Sequence, residues 1–181
     1  AVGAHVILGP AVNICRTPLN GRTFEYFTED PELNARLAVA CVKGIQSQGV
    51  AACIKHYAAN NQETNRTRNS SQLSERALRE IYLPAFEAAV READVWSVMA
   101  AYNAVNGVAA CENGELLTDR LRHEYGFRGF VVSDWFAARR TGSAASALRA
   151  GLNLEMPGKG SKYRAANLKK EFRAGAFSEA E

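Results

Sequence analysis

Short apolar runs alternate with amphipathic stretches along this chain, and that alternation constrains the fold more than any other feature. The runs are His5-Val6-Ile7-Leu8, Val50 to Ile54, Val95 to Ala101, Phe130-Val131-Val132 and a short Leu152 to Leu154. The stretches between them carry helix signals. Asp30-Pro31 supplies an N-cap and a proline at the first helical position. Leu33, Leu37, Cys41 and Ile45 then recur every fourth residue, which predicts one buried face ending at Gly49. Ser74 opens a second helix whose predicted face is Leu78, Ile81, Tyr82, Phe86 and Ala89, and Pro84 predicts a break inside it. Further helices are expected over about 113–125, with Leu116, Leu117 and Leu121 inward, over 143–150 and over about 163–172.

Strands alternating with helices imply a parallel sheet. Strands that are apolar almost throughout imply a sheet covered on both faces. Long polar loops follow the strands, over 13–30 and 60–72 for example. The expected fold is therefore α/β, a partial (β/α)8 TIM-type barrel of about five βα units. No G-x-G-x-x-G follows a strand and no G-x-x-x-x-G-K-[ST] occurs, so neither a dinucleotide nor a P-loop phosphate site is expected. No cofactor and no metal is predicted.

Length becomes informative at this point. The 181 residues suit one domain with a sizeable core, whereas a complete eight-unit barrel typically needs about 250. Ala1 to Pro10 reads as a strand running directly into a turn, with no targeting pattern. The expectation is an incomplete barrel domain over 1–181, with cytoplasmic and secreted settings both open. The 22 basic and 19 acidic residues give a net charge of +3. The densest basic pairs are Arg66 with Arg68 and Arg139 with Arg140, which make no stripe, so no nucleic-acid and no membrane partner is expected. No apolar run nears the roughly 18 residues of a bilayer span. Cys15, Cys41, Cys53 and Cys111 form no C-x-x-C pair, and Cys41 and Cys53 sit in apolar segments as small core residues.

In barrels, chemistry sits at the C-terminal ends of strands and in the loops after them. Those ends carry Lys55 with His56, Tyr102 with Asn103, and Asp134 with Trp135, while the polar loops add Arg22 and Arg66. Cations, a carboxylate and aromatic walls at one mouth suit a polar neutral ligand such as a sugar. Each residue has a plainer role to weigh. Asp134 could cap the following helix, Arg22 could bridge Glu25 or Glu29, Arg66 could be a solvated loop residue, and Trp135 could be packing. His5 and His123 read as structural. Glycoside hydrolysis needs two carboxyl groups. Asp134 is one candidate, and neither Glu63 nor Glu155 is identified as its partner by spacing.

Several ordered segments resemble glycoside hydrolase family 3. They are Leu8-Gly9-Pro10-Ala11-Val12-Asn13-Ile14, Asn20-Gly21-Arg22-Thr23-Phe24-Glu25-Tyr26-Phe27-Thr28-Glu29-Asp30-Pro31, Ile54-Lys55-His56-Tyr57-Ala58-Ala59-Asn60-Asn61-Gln62-Glu63-Thr64-Asn65-Arg66, Ser74 to Pro84, Met99-Ala100-Ala101-Tyr102-Asn103, and Gly129-Phe130-Val131-Val132-Ser133-Asp134-Trp135. The resemblance covers nearly the whole chain up to Pro157-Gly158 and is most similar to the bacterial β-glucosidase-like branch. It implies a retaining mechanism on a β-glucoside or short β-linked oligosaccharide. Asp134 resembles the nucleophile; Arg22, Lys55, His56 and Arg66 resemble the residues that hold the sugar hydroxyls. Tyr102 looks like the tyrosine beside the nucleophile, and Met99 and Trp135 like apolar walls. Nearby cations are expected to lower the Asp134 pKa and keep it ionised.

The resemblance also implies missing parts: the first strands of the barrel, with an aspartate that grips the sugar, and a C-terminal α/β sandwich domain that supplies the acid/base glutamate. A fragment of 181 residues is expected not to hydrolyse a glycoside alone. The N-acetylglucosaminide branch carries a Gly-rich His/Asp loop, and 57–66 holds no His and no Gly. Two alternatives remain, a Schiff-base lyase using Lys55 and a non-catalytic sugar-binding module.

Overall fold

A computed structural model describes residues 3–158 and 162–179; Ala1 and Val2, which open the stretch from Ala1 to Pro10 read as a strand, lie outside them. Four strands form a parallel sheet in the order β1 (Val6–Ile7), β2 (Ala51–Tyr57), β4 (Ser97–Ala100) and β7 (Phe130–Ser133). Leu154 bridges Val132 in parallel and Ala11 bridges Lys55, so the predicted fifth run contributes one bridge and the first strand continues past Pro10. Helices connect the strands, as an α/β barrel segment requires. Among the described residues no helix is long and apolar enough to cross a membrane.

The first helix, α1 (Pro31–Gln46), starts where its cap predicts: Asp30 Oδ1 accepts from Glu32 N at 2.8 Å and Leu33 N at 3.0 Å. Its buried face differs from the expected one. Leu33 and Leu37 are 48% and 39% exposed, Cys41 and Ile45 are partly buried, and the face turned inward is Asn34, Ala35, Ala38 and Val42. The reason lies in the neighbour. α1 packs against α3 (Pro84–Ala93), and small residues on the inner stripe let two helices approach closely. Asn34 fits there because its Nδ2 donates to the Val12 carbonyl at 2.7 Å.

Pro84 breaks the second helix as expected. One turn, α2 (Glu75–Ala77), runs into a π-type segment (Leu78–Tyr82), and α3 restarts with Pro84 in its first turn. Of the predicted face Leu78, Tyr82, Phe86 and Ala89 are buried and Ile81 is 39% exposed. Residues Glu115–Glu124 form a π-helix with Leu116, Leu117 and Leu121 buried. α4 (Ala144–Ala150) and α5 (Ala165–Arg173) follow. A small sheet of β3 (Ser70–Ser71), β5 (Ala104–Val105) and β6 (Val108–Ala109) also forms, with β3 inside the expected polar loop over 60–72 and β5 and β6 in a stretch with no sequence assignment. Asn106 and Gly107 make its turn at φ +49° and +92°, the left-handed values of a type I′ hairpin.

The two faces of the main sheet divide the core. Ile54, Val98, Ala100 and Val131 join Leu83, Phe86 and Leu117 in the main cluster, whereas Cys53, Met99 and Val132 form a separate small one. All four cysteines are free; Cys53 is fully buried and Cys41 only partly. Gly129 leads into β7, and a Cβ there would run into the Trp96 carbonyl and come within 2.8 Å of the Phe127 ring. Gly129→Ala should therefore destabilise the fold by about 2–3 kcal/mol, read as a lower urea midpoint at unchanged m-value. An unchanged midpoint would show that β7 tolerates the shift.

Candidate active site

Loops and strand ends converge at the C-terminal edge of the sheet. Between Lys55 and Tyr57 β2 advances two residues while β4 advances one, from Met99 to Ala100. His56 is thus the extra residue of a bulge, a device that re-aims side chains. Lys55 and His56 consequently serve one cluster although they are sequence neighbours. Arg22 comes from the loop before the 3-10 turn Thr23–Glu25, and Asp134 follows the last residue of β7.

Asp134 is 6% exposed. Its Oδ1 accepts from Trp135 N at 2.7 Å, while its buried Oδ2 has no hydrogen-bond partner. Arg22 Nη1 lies 3.7 Å and His56 Nε2 3.6 Å from that oxygen. Burial raises the Asp134 pKa. The Trp135 amide, the charges of Arg22 and Arg66 and the Tyr102 side chain all lower it, and burial outweighs them. The expectation that nearby cations would set its pKa low is corrected: the site withholds water from this carboxylate more than it compensates for the loss.

His56 is buried, and burial with the charges of Arg22, Lys55 and Arg66 keeps its pKa well below the usual histidine value. It is a neutral imidazole. Asn13 fixes its tautomer. Asn13 Nδ2 donates to the His56 carbonyl at 2.9 Å and Asn13 Oδ1 accepts from His56 N at 2.9 Å, so the amide orientation is set. His56 Nδ1 lies 3.2 Å from that same Oδ1 and must carry the proton. Nε2 is left as a bare acceptor, buried and without a partner.

Glu25 joins two cations. Arg22 Nε donates to its Oε1, and Lys55 Nζ is 3.2 Å from its Oε2. Burial works against its charge, but Arg22 and Lys55 hold its carboxyl below the usual range. Arg66 stacks its guanidinium 4.2 Å above the Tyr102 ring and pairs with Glu63 at 2.6 Å. Burial and the Asp134 charge push Tyr102 up to about 12, so its hydroxyl keeps its proton. Trp135 is 47% exposed beside Tyr102 and Arg66.

The structure thus gathers Arg22, Lys55, His56, Arg66, Tyr102, Trp135 and Asp134. Met99 lies deeper, 2% exposed, packed with Cys53 and Val132 and in register with Lys55. Both readings of Arg22 hold at once, since it bridges Glu25 and faces Asp134. Glu155 accepts from Lys162 N at 3.2 Å and Tyr163 N at 2.7 Å, which makes it a loop anchor. His5 and His123 are exposed, away from this cluster. Asn13 is not singled out from the sequence, and Glu25 enters there only as an ion-pair partner for Arg22. Asn13 carries no charge or periodicity to mark it, and the position of Glu25 three residues after Arg22 was its only signal. Among the described residues no group of three or more His, Cys, Asp or Glu is placed to hold a metal ion.

The chain is 56% identical over 152 residues to an exo-α-(1→6)-L-arabinopyranosidase of Bifidobacterium longum, covering 84% of this chain and 20% of that protein. It is 56% identical over 156 residues to a β-glucosidase of Rhizobium radiobacter, covering 86% of this chain and 19% of the relative. The structure of β-glucosidase 3B from Thermotoga neapolitana in complex with glucose superposes with a TM-score of 0.92 at 49% identity, over 98% of this chain and 25% of that one. The chain spans about a fifth of the length of the curated relatives it matches. The family model described as glycosyl hydrolase family 3 N terminal domain matches residues 1–181, so the chain belongs to glycosyl hydrolase family 3, within its TIM-barrel-type N-terminal domain.

Proposed function

We propose that this chain carries the nucleophile side of a retaining β-glucosidase that removes terminal non-reducing β-D-glucosyl residues. The observation that carries this reading is Asp134 Oδ2, a buried carboxylate oxygen with no hydrogen-bond partner at the mouth of the sheet. Oδ2 attacks the anomeric carbon, the aglycone oxygen leaves with a proton, and a covalent glycosyl-enzyme forms that water then hydrolyses. Lys55, Arg22 and Arg66 donate charge-assisted hydrogen bonds to sugar hydroxyls. His56 Nε2 accepts one, Tyr102 positions the nucleophile, and Trp135 offers a ring face to the sugar, with Met99 as the apolar floor.

The proton donor, in this reading, comes from a part of the protein outside 1–181. Each acid near Asp134 is already engaged: Glu25 by Arg22 and Lys55, Glu63 by Arg66, and Glu155 by two backbone amides. Residues 1–181 are then an incomplete N-terminal barrel domain, completed by earlier barrel strands and a C-terminal α/β sandwich, and the chain alone does not turn over. Lys55 as a Schiff-base nucleophile is disfavoured, because Glu25 occupies its ammonium at 3.2 Å.

A 2-deoxy-2-fluoroglucoside tests the assignment on the complete enzyme. It should arrest the reaction as a covalent adduct on the peptide that contains Asp134, read by mass spectrometry. A label elsewhere would overturn the assignment, as would steady turnover without a label. The relative named an arabinopyranosidase supplies the second arm, the matching α-L-arabinopyranoside. Turnover of an aryl β-glucoside by the 181 residues alone, abolished by Asp134→Asn, would sink the division of labour.

A further inference from the structure

We propose that the cleft beside Asp134 receives a flat, anionic leaving group, an aryl aglycone bearing a carboxylate; this rests on the hydrolase reading above. The cleft measures about 480 Å³ and holds arginines and aromatic rings with no acid in its lining. Tyr102, Trp135 and Phe136 supply the rings, and Arg68, Arg139 and Arg140 the charge. Arg66 also lines it but is neutralised by Glu63. Among the described residues no carboxylate lies at ion-pair distance from Arg68, Arg139 or Arg140.

Two features show a built wall. Arg140 is locked in place: Nη1 donates to the Asn69 carbonyl at 2.8 Å and the Tyr102 carbonyl at 3.3 Å, and Nη2 to the Arg68 carbonyl at 3.3 Å. It ties the loop bearing Arg68 to the strand end bearing Tyr102. Phe136 is held at φ +66°, a left-handed value that costs a bulky residue energy, and its N–H donates to the Met156 carbonyl at 2.7 Å. In that conformation the ring lies under Arg139, whose guanidinium sits 4.1 Å from the centroid. A ring on one wall and guanidinium groups along the rim match a planar molecule with a negative edge. A neutral alkyl or glucosyl aglycone would use the rings and leave the charge unanswered.

The test measures kcat/KM on the complete enzyme for 4-carboxyphenyl β-glucoside. The reference is a line drawn through neutral aryl β-glucosides of graded leaving-group acidity. The carboxylate substrate should lie about tenfold above the line at low salt and return towards it at high salt. The Arg68→Gln/Arg139→Gln double variant should remove the excess and its salt dependence. A carboxylate substrate on or below the line overturns the proposal while the neutral substrates uphold the hydrolase. An excess shown by a uronate-bearing disaccharide but not by the aryl carboxylate overturns the aromatic class. No turnover of any aryl glucoside overturns the hydrolase and this inference together.

Discussion

Asp134→Asn in the complete enzyme should cut kcat for an aryl β-glucoside by about 10⁴-fold or more while raising the thermal stability of the fold. The two effects have one origin. Asp134 is buried, one of its oxygens is unpartnered, and burial raises its pKa despite the cations around it. For an acid with a raised folded-state pKa, the stability contribution is full below the unfolded pKa and is lost as pH rises through the folded one. At neutral pH the carboxylate is therefore a cost to the fold. An amide of the same shape removes that cost and, in the proposed mechanism, cannot act as the nucleophile. The gain in melting temperature at pH 7 should shrink as the buffer is made acidic. A melting temperature that falls at pH 7 would mean that Arg22, Arg66, Tyr102 and the Trp135 amide compensate the charge fully.

Glu25→Gln is the second large effect, expected to lower kcat/KM by about 10²-fold. Glu25 touches no atom of Asp134; it positions Arg22 and Lys55 by accepting from both. Gln keeps the shape and loses the charge, so the two cations are left unbalanced beside Asp134. Their pull on the Asp134 carboxylate then offsets more of the effect of burial, and the acid limb of the kcat/KM profile moves to lower pH. That displacement separates positioning from mere structural damage, which would lower the melting temperature and leave the limb in place. An unmoved limb with intact kcat/KM would remove Glu25 from the site.

Much of this is legible in the sequence, for identifiable reasons. Asp30-Pro31 and Pro84 mark helix ends through local chemistry, one side-chain cap and one missing N–H, and both fall where expected. Strand-end polar residues were legible because a long apolar run makes the first charge after it conspicuous, as at Lys55 and Asp134. Long-range choices were not. The stripe through Leu33 and Leu37 is regular, yet periodicity cannot say which neighbour a helix will meet, and the smaller stripe through Ala35 and Ala38 is the one that packs. The hairpin at Asn106-Gly107 has strands of two residues each, too short for any periodicity, although the Asn-Gly pair was a usable turn signal. The Asp134 pKa failed for the same reason as α1: cations can be listed from sequence, and the depth of burial cannot.

The Asn13–His56 pair has a chemical consequence of its own. With the Nδ1 proton committed to Asn13, the other nitrogen can only receive a hydrogen. Whatever ligand group stands before it must give one up. A hydroxyl does; an ether, a carbonyl or a fluorine in its place presents one lone pair to another. One asparagine, fastened at both ends to the chain it faces, thereby makes this corner sensitive to the direction of a hydrogen bond and not only to the size of the group that makes it.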